Sequence, residues 1–109
     1  MVILFADEKL LCLCQEERRA VRHLGKPGFK KLRGRLSDLR AASRLGEVVA
    51  GGPHPLKGER RHQFSLDLDG GRRLVFEAAD DPIPKTSEGA IDWPQVTRVR
   101  IVFIGDYHD

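Results

Sequence analysis

Gln63-Phe64-Ser65-Leu66-Asp67-Leu68-Asp69-Gly70-Gly71-Arg72-Arg73-Leu74-Val75-Phe76-Glu77 alternates apolar and polar residues on both sides of a glycine pair. Side chains of an extended chain point to opposite faces in turn, so this pattern predicts two half-buried strands. Asp69-Gly70-Gly71 supplies the residues a tight reversal needs, which makes the stretch a hairpin. Phe64, Leu66 and Leu68 face a core on the first strand, as do Leu74 and Phe76 on the return. Arg73, Val75 and Glu77 point to the other face. An antiparallel sheet is therefore the frame on which the rest of the chain is read.

Downstream, residues 80–97 contain three prolines and a glycine, which exclude a central strand or a long helix. A loop of this length is functional or mobile, with Ile91 and Trp93 available to pin it. Arg98-Val99-Arg100-Ile101-Val102-Phe103-Ile104 is the last strand. It begins by alternating and ends wholly apolar, as a central strand covered on both faces does. Val99, Ile101 and Phe103 are its core-facing set, with Arg98 and Arg100 opposite. If the strand continues, the same count turns Asp106 and His108 toward the face of Arg73.

Upstream, Leu45 to Pro53 is a glycine-rich connector. Val2–Phe5 is an apolar first strand. Asp7 is placed to cap a helix running to about Leu24, with Leu10, Leu13, Cys14, Val21 and Leu24 at helical spacing and Glu17 interrupting. Gly25 stops it. A second helix, about Phe29 to Ser43, shows Phe29, Leu32, Leu36 and Leu39 as one narrow apolar stripe. The order β-α-α-β-β-β predicts an α+β fold: a small antiparallel twisted sheet with an N-terminal helix pair on one face, residues 1–109 forming a single domain.

The chain has 109 residues, 40% hydrophobic and 32% charged, with a net charge of +3. Ten Lys and Arg (18, 19, 22, 26, 30, 31, 33, 35, 40, 44) lie between Arg18 and Arg44 against one acid, Asp38. Such a cluster suits a polyanion, nucleic acid or an acidic protein. Its alternative reading is a solvated helix face. Cys12 and Cys14 project about 200° apart on a helix, so they share neither a bridge nor a metal. The apolar N-terminal run is too short for a membrane span or a signal, and a reducing, cytoplasmic setting without membrane contact is expected.

His54-Pro55-Leu56-Lys57-Gly58-Glu59-Arg60-Arg61 carries the chemistry. An imidazole, an ammonium and two guanidiniums within eight positions suit a phosphodiester. His54 is stiffened by Pro53 and Pro55. His108 follows Asp106 at a spacing that lets a carboxylate orient an imidazole, while His23 and His62 read as surface residues. No His pair stands at i, i+4 and no CxxC is present, and the surrounding cations disfavour a bound metal. No cofactor is expected. Neither a nucleophile elbow nor a Walker loop is present. Metal-free RNA cleavage fits: the substrate supplies its 2′-hydroxyl, a Brønsted pair moves two protons, and Lys and Arg stabilise the phosphorane. A basic surface that only binds is the alternative.

The blocks His54-Pro55-Leu56-Lys57-Gly58-Glu59-Arg60, Phe64-Ser65-Leu66, Arg73-Leu74-Val75-Phe76-Glu77 and the terminal Asp106-Tyr107-His108 resemble, in that order, the RelE/HigB superfamily of type II toxins, the HigB branch above all. The resemblance implies a ribosome-dependent messenger RNA endonuclease, needing no metal, silenced by a cognate antitoxin of the helix-turn-helix, HigA-like kind. It implies partners in ribosome and mRNA, with operator DNA reached only through the antitoxin complex. It carries functional roles onto His54, Lys57, Arg73, Asp106, Tyr107 and His108, with Arg60 and Arg61 as phosphate contacts. Lys30, Lys31, Arg33 and Arg35 join them as RNA-binding cations. Which histidine is base and which acid stays open, with His108 oriented by Asp106 preferred. The chain departs from the family in having Phe64 where Trp is common and in its longer 80–97 loop. Two alternatives remain: a non-catalytic binder like the gyrase-inhibiting ParE branch, and a basic nucleic-acid-binding regulator.

Overall fold

The computed structural model describes residues 1–106. A five-stranded sheet has the order β1-β5-β4-β3-β2, with β1 at Val2–Phe5, β2 at His54–Pro55, β3 at Gln63–Asp67, β4 at Arg73–Ala78 and β5 at Arg98–Gly105. Helices α1 (Glu8–Gln15) and α2 (Glu17–Ala41) complete an α+β fold of the class expected. The sheet is mixed rather than wholly antiparallel: β1 runs parallel to β5, Val2 opposite Arg98 through Phe5 opposite Ile101. The helices between β1 and the remaining strands supply the long connection that parallel pairing requires. The short β2, read in the sequence as loop, adds a fifth strand, with His54 opposite Ser65 and Pro55 opposite Phe64.

The helical half follows its punctuation. Asp7 caps α1, its Oδ1 accepting from the Leu10 amide at 2.8 Å. A break at Glu16, in extended conformation (φ −111°, ψ 108°), separates α1 from α2. It falls where Glu17 interrupts the apolar spacing. Gly25 (φ 75°, ψ 171°) then divides α2 into two arms, since few residues other than glycine take that conformation cheaply. Pro27 follows in the first turn of the second arm, where a missing amide costs little. This arm therefore starts earlier than Phe29. Ala20, Leu24, Leu32, Leu36 and Leu39 pack against Phe64, Leu66, Leu68, Leu74, Phe76, Val99 and Ile101.

The hairpin forms as read. Leu68 donates to the Arg72 carbonyl at 2.8 Å, and Gly70 and Gly71 take φ of 56° and 82°. Its apex docks on the kink of α2: Asp69 Oδ1 and Arg72 crowd Gly28. The 80–97 segment is anchored on both sides. Asp80 accepts from the Thr97 amide (2.9 Å) and hydroxyl (2.7 Å) and from the Arg98 amide (3.1 Å), closing the loop at its base. Ile91 and Trp93 pack against the core as expected, Trp93 lying 5.0 Å from the Phe64 ring.

One expectation is corrected in β5. The ladder with β4 shifts register, from Val75 opposite Phe103 to Phe76 opposite Ile101, leaving Val102 as the extra residue of a β-bulge. Ile101 and Ile104 belong to the core, while Phe103 moves to the face of Val75.

Candidate functional site

The helices cover one face of the sheet. The other face carries three rows read across the strands. Gln63, Glu77 and Arg100 form one, Ser65, Val75 and Phe103 the next, and Asp67, Arg73 and Gly105 the third. His54 extends the middle row, opposite Ser65. This face is not bare, because Ser65 and Val75 are fully buried on it.

Strand pairing positions His54. The ring lies across the β2–β3 ladder, with Nδ1 2.8 Å from the Gly52 carbonyl oxygen and Nε2 3.4 Å from Ser65 Oγ. A carbonyl only accepts, so Nδ1 carries a proton and donates. Nε2 is left as the nitrogen that gains or loses a proton, and the Ser65 hydroxyl can donate to it or accept from it. This arrangement selects one tautomer, which a histidine used for proton transfer requires. Gly52 reaches this position at φ 55°. Strand alternation alone puts Ser65 on the outward face with nothing to single it out. Its total burial on an outward face, beside the histidine, marks it as a support, and only the β2–β3 register reveals that.

Lys57 and Arg61 are exposed at either end of a short 3-10 turn, Gly58–Arg60, just beyond β2. Arg60 lies over the face: its guanidinium sits 4.7 Å from the Phe103 ring centroid and donates to Gln63 Oε1 at 3.0 Å. The bulge at Val102 makes this possible by turning Phe103 outward.

Arg73 stands on the same face as His54, one row along and two strands over, roughly 12 Å between Cα atoms by strand spacing. It is in an ion pair with Asp67. The two-by-two count that carried Asp106 to the same face does not hold, because Val102 shifts it and β5 ends at Gly105. Asp106 is exposed beyond the strand, its Oδ2 4.0 Å from where a Cβ on Gly71 would stand. Tyr107 and His108 lie outside the described residues.

The four helical cations are not brought to this face. Lys30, Lys31 and Arg33 are exposed on α2, in the helical layer. Arg35 is turned inward: its Nε donates to the Asp67 carbonyl at 2.9 Å, and it crowds Gly51. It thereby ties α2 to the segment leading into β2. His23 is exposed, its Nε2 3.4 Å from the Ile104 carbonyl oxygen. His62 is exposed at φ 75°.

Among the described residues no three His, Cys, Asp or Glu are grouped to hold a metal, and no helix is long and apolar enough to cross a membrane. Burial pushes the Cys14 thiol up to about 11. The Cys12 thiol is also raised, first by its hydrogen bond with Glu16.

No protein-family model matches the chain, and no curated protein matches it. Solved structures do. A YoeB/ParE toxin from Agrobacterium tumefaciens superposes with a TM-score of 0.58 at 14% identity, over 99% of this chain and 100% of that one. A YoeB–YefM complex from Staphylococcus aureus gives 0.57 at 18% identity, and a YoeB dimer from the same organism gives 0.54 at 19%, each over 100% of this chain and 98% of the other. At such identities the likeness is one of fold, and the fold is the RelE/YoeB-like toxin fold.

Proposed function

We propose that this chain is the toxin of a type II toxin–antitoxin pair and acts as a metal-independent endoribonuclease on translated messenger RNA. One observation carries the reading. His54 is oriented by the Gly52 carbonyl and the Ser65 hydroxyl on a sheet face that also holds Arg60 and Arg73. A surface that only binds polyanions has no need of a tautomer-selected imidazole.

The chemistry assigned to this face is attack of the RNA 2′-oxygen on the adjacent phosphorus. The 2′-hydroxyl loses its proton to a base and the O–P bond forms. The P–O5′ bond then breaks, the leaving 5′-oxygen takes a proton, and a 2′,3′-cyclic phosphate remains. His54 and His108 are assigned the two proton transfers. Lys57, Arg60, Arg61 and Arg73 stabilise the phosphorane by placing positive charge where negative charge develops. For Arg73 this entails exchanging Asp67 for phosphate. The resemblance assigns Asp106 the orienting of His108, and Tyr107 the stacking on a base. Lys30, Lys31, Arg33 and Arg35 were expected to bind RNA. Of these, the exposed Lys30, Lys31 and Arg33 remain available to a polyanion on the helical side.

The like fold supports the toxin assignment. One S. aureus YoeB structure is a heterotetrameric toxin–antitoxin complex with YefM. Coverage of nearly the whole of both chains supports treating residues 1–109 as a single toxin domain. The ordered motif blocks support the HigB branch, a HigA-like helix-turn-helix antitoxin and action on ribosome-bound mRNA, and the unbridged Cys12 and Cys14 support a reducing, cytoplasmic setting. Induction of the chain in a bacterial host, followed by primer extension on translated messages, tests the reading. Codon-linked cuts that disappear in His54→Ala and His108→Ala are expected. Loss of DNA supercoiling without cuts would replace it with the gyrase-binding alternative.

A further inference from the structure

Asp67, on the face that holds His54, ties β3 to three other segments. Its amide donates to the Gly51 carbonyl at 2.6 Å, and its own carbonyl accepts from Arg35 Nε at 2.9 Å. The Arg35 side chain is only 15% exposed, so this tie to α2 is sheltered from water. The Asp67 carboxylate lies against the segment before β2: a Cβ on Gly52 would stand 3.0 Å from its Oδ2. Gly52 in turn supplies the carbonyl that orients His54. Directly across the β3–β4 ladder stands Arg73, whose Nη1 pairs with Asp67 Oδ1. A backbone pinned from two directions and a side chain set against Gly52 give this carboxylate little freedom to move. Arg73 is different. Its long stem is rooted on β4, and its side chain is 33% exposed.

We infer that Asp67 is a latch on Arg73, an autoinhibitory contact that keeps the affinity of the His54 face for RNA low. The guanidinium must leave a fixed carboxylate before it takes a phosphate. Two costs follow. One is the ion pair itself, worth up to about fivefold in affinity for partly exposed partners. The other is the carboxylate left behind, a like charge beside the phosphate that has claimed Arg73. A strand that merely drifts onto the face therefore gains little from Arg73. A group with more negative charge competes better with the carboxylate, and the phosphorane carries more than the phosphodiester it forms from. Asp67 thereby reserves Arg73 for the transition state, where an interaction accelerates the reaction. The latch rests on the reading of this face as a site for RNA phosphates, but its own signature is one of binding and needs no cleavage.

The test is a double-mutant cycle in the full chain. Its probe is a fluorescein-labelled 2′-O-methyl oligouridylate, which lacks the hydroxyl that cleavage requires, and fluorescence anisotropy reads the affinity. Asp67→Asn keeps the size of the side chain and removes its charge, and should bind about two- to fivefold tighter than the parent. Arg73→Gln should weaken binding by a factor about two- to fivefold larger in the Asp67→Asn chain than in the parent, because only there is the guanidinium released for phosphate. Lys57→Gln should weaken both chains by the same factor, with circular dichroism confirming that every variant folds. An equal effect of Arg73→Gln in the two chains, including none in either, would overturn the latch. So would a Lys57→Gln factor that changes as much as the Arg73→Gln factor. Coupling of Arg73 to Asp67 in a chain that cuts no translated message would sustain the latch and remove the ribonuclease reading.

Discussion

Two glycines in the second arm of α2 offer the same substitution with opposite outcomes. A Cβ on Gly34 meets nothing within 4 Å, and the position is exposed. Replacing glycine by alanine in a helix interior gains about 1 kcal/mol, mostly by restricting the unfolded chain. Gly34→Ala should therefore stabilise by about 0.5–1 kcal/mol. A Cβ on Gly28 would stand 2.6 Å from Leu24 Cβ and 2.9 Å from Asp69 Oδ1. Leu24 Cβ is fixed to the backbone of the neighbouring arm, so that gap must open from 2.6 Å to at least 3.4 Å. Asp69 is held by Arg72 at 3.1 Å, and its Oδ1 is buried without a hydrogen-bond partner. Overpacking of this kind costs about 1–3 kcal/mol. Set against the same helical gain of about 1 kcal/mol, Gly28→Ala should destabilise by about 0–2 kcal/mol, where Gly34→Ala stabilises. Urea unfolding followed by circular dichroism reads both values from shifted midpoints at unchanged slope. A Gly28→Ala protein as stable as Gly34→Ala would refute the claim that the hairpin apex and the Leu24 arm close on Gly28.

His54→Ala should reduce RNA cleavage and toxicity by about 100-fold or more, the scale of a lost proton-transfer group, while thermal unfolding moves little. His108→Ala or His108→Gln should act likewise on induced-cell growth and primer extension. At Asp80, burial raises the carboxyl, but hydrogen bonds from the Thr97 hydroxyl and the Thr97 and Arg98 amides outweigh it and hold it below its ordinary 3.8. A depressed folded value favours the carboxylate. Its contribution is therefore present above the unfolded pKa and is lost as pH falls from about 4 through the lower folded value. Asp80→Asn should accordingly be less stable than the parent at pH 7, and the gap should narrow at pH 3 in urea titrations. Cys14, pushed up to about 11 by burial, should have roughly one thiolate per thousand at pH 8. Its reaction with a disulfide reagent, followed in a Cys12→Ser background, should be slow until the protein unfolds.

Local patterns were legible because their causes are local. The alternation from Gln63 to Glu77 and the glycine turn within it follow from strand pleat and allowed φ, and the hairpin forms accordingly. Gly25 stops a helix for the same kind of reason, and Asp7 caps one. His54 was legible as stiffened by its prolines, and Arg73 as outward-facing by parity. Their partners were not, because Ser65 and Asp67 reach them only across strands. Arg35 looked like one more surface cation until the backbone of Asp67 and Gly51 came against it.

What the chain determined by itself is the kind and order of its elements and the concentration of cations on α2. Only the tertiary structure decided that β1 joins parallel to β5, that residues 54–55 pair as an edge strand, and that Val102 is an extra residue. Ile101-Val102-Phe103-Ile104 is apolar throughout, so no alternation betrays a shift in face. The shift comes from register with β4, a matter of hydrogen bonding between residues far apart in the chain. That single residue turns Phe103 outward beneath Arg60 and ends the parity count that reached toward Asp106.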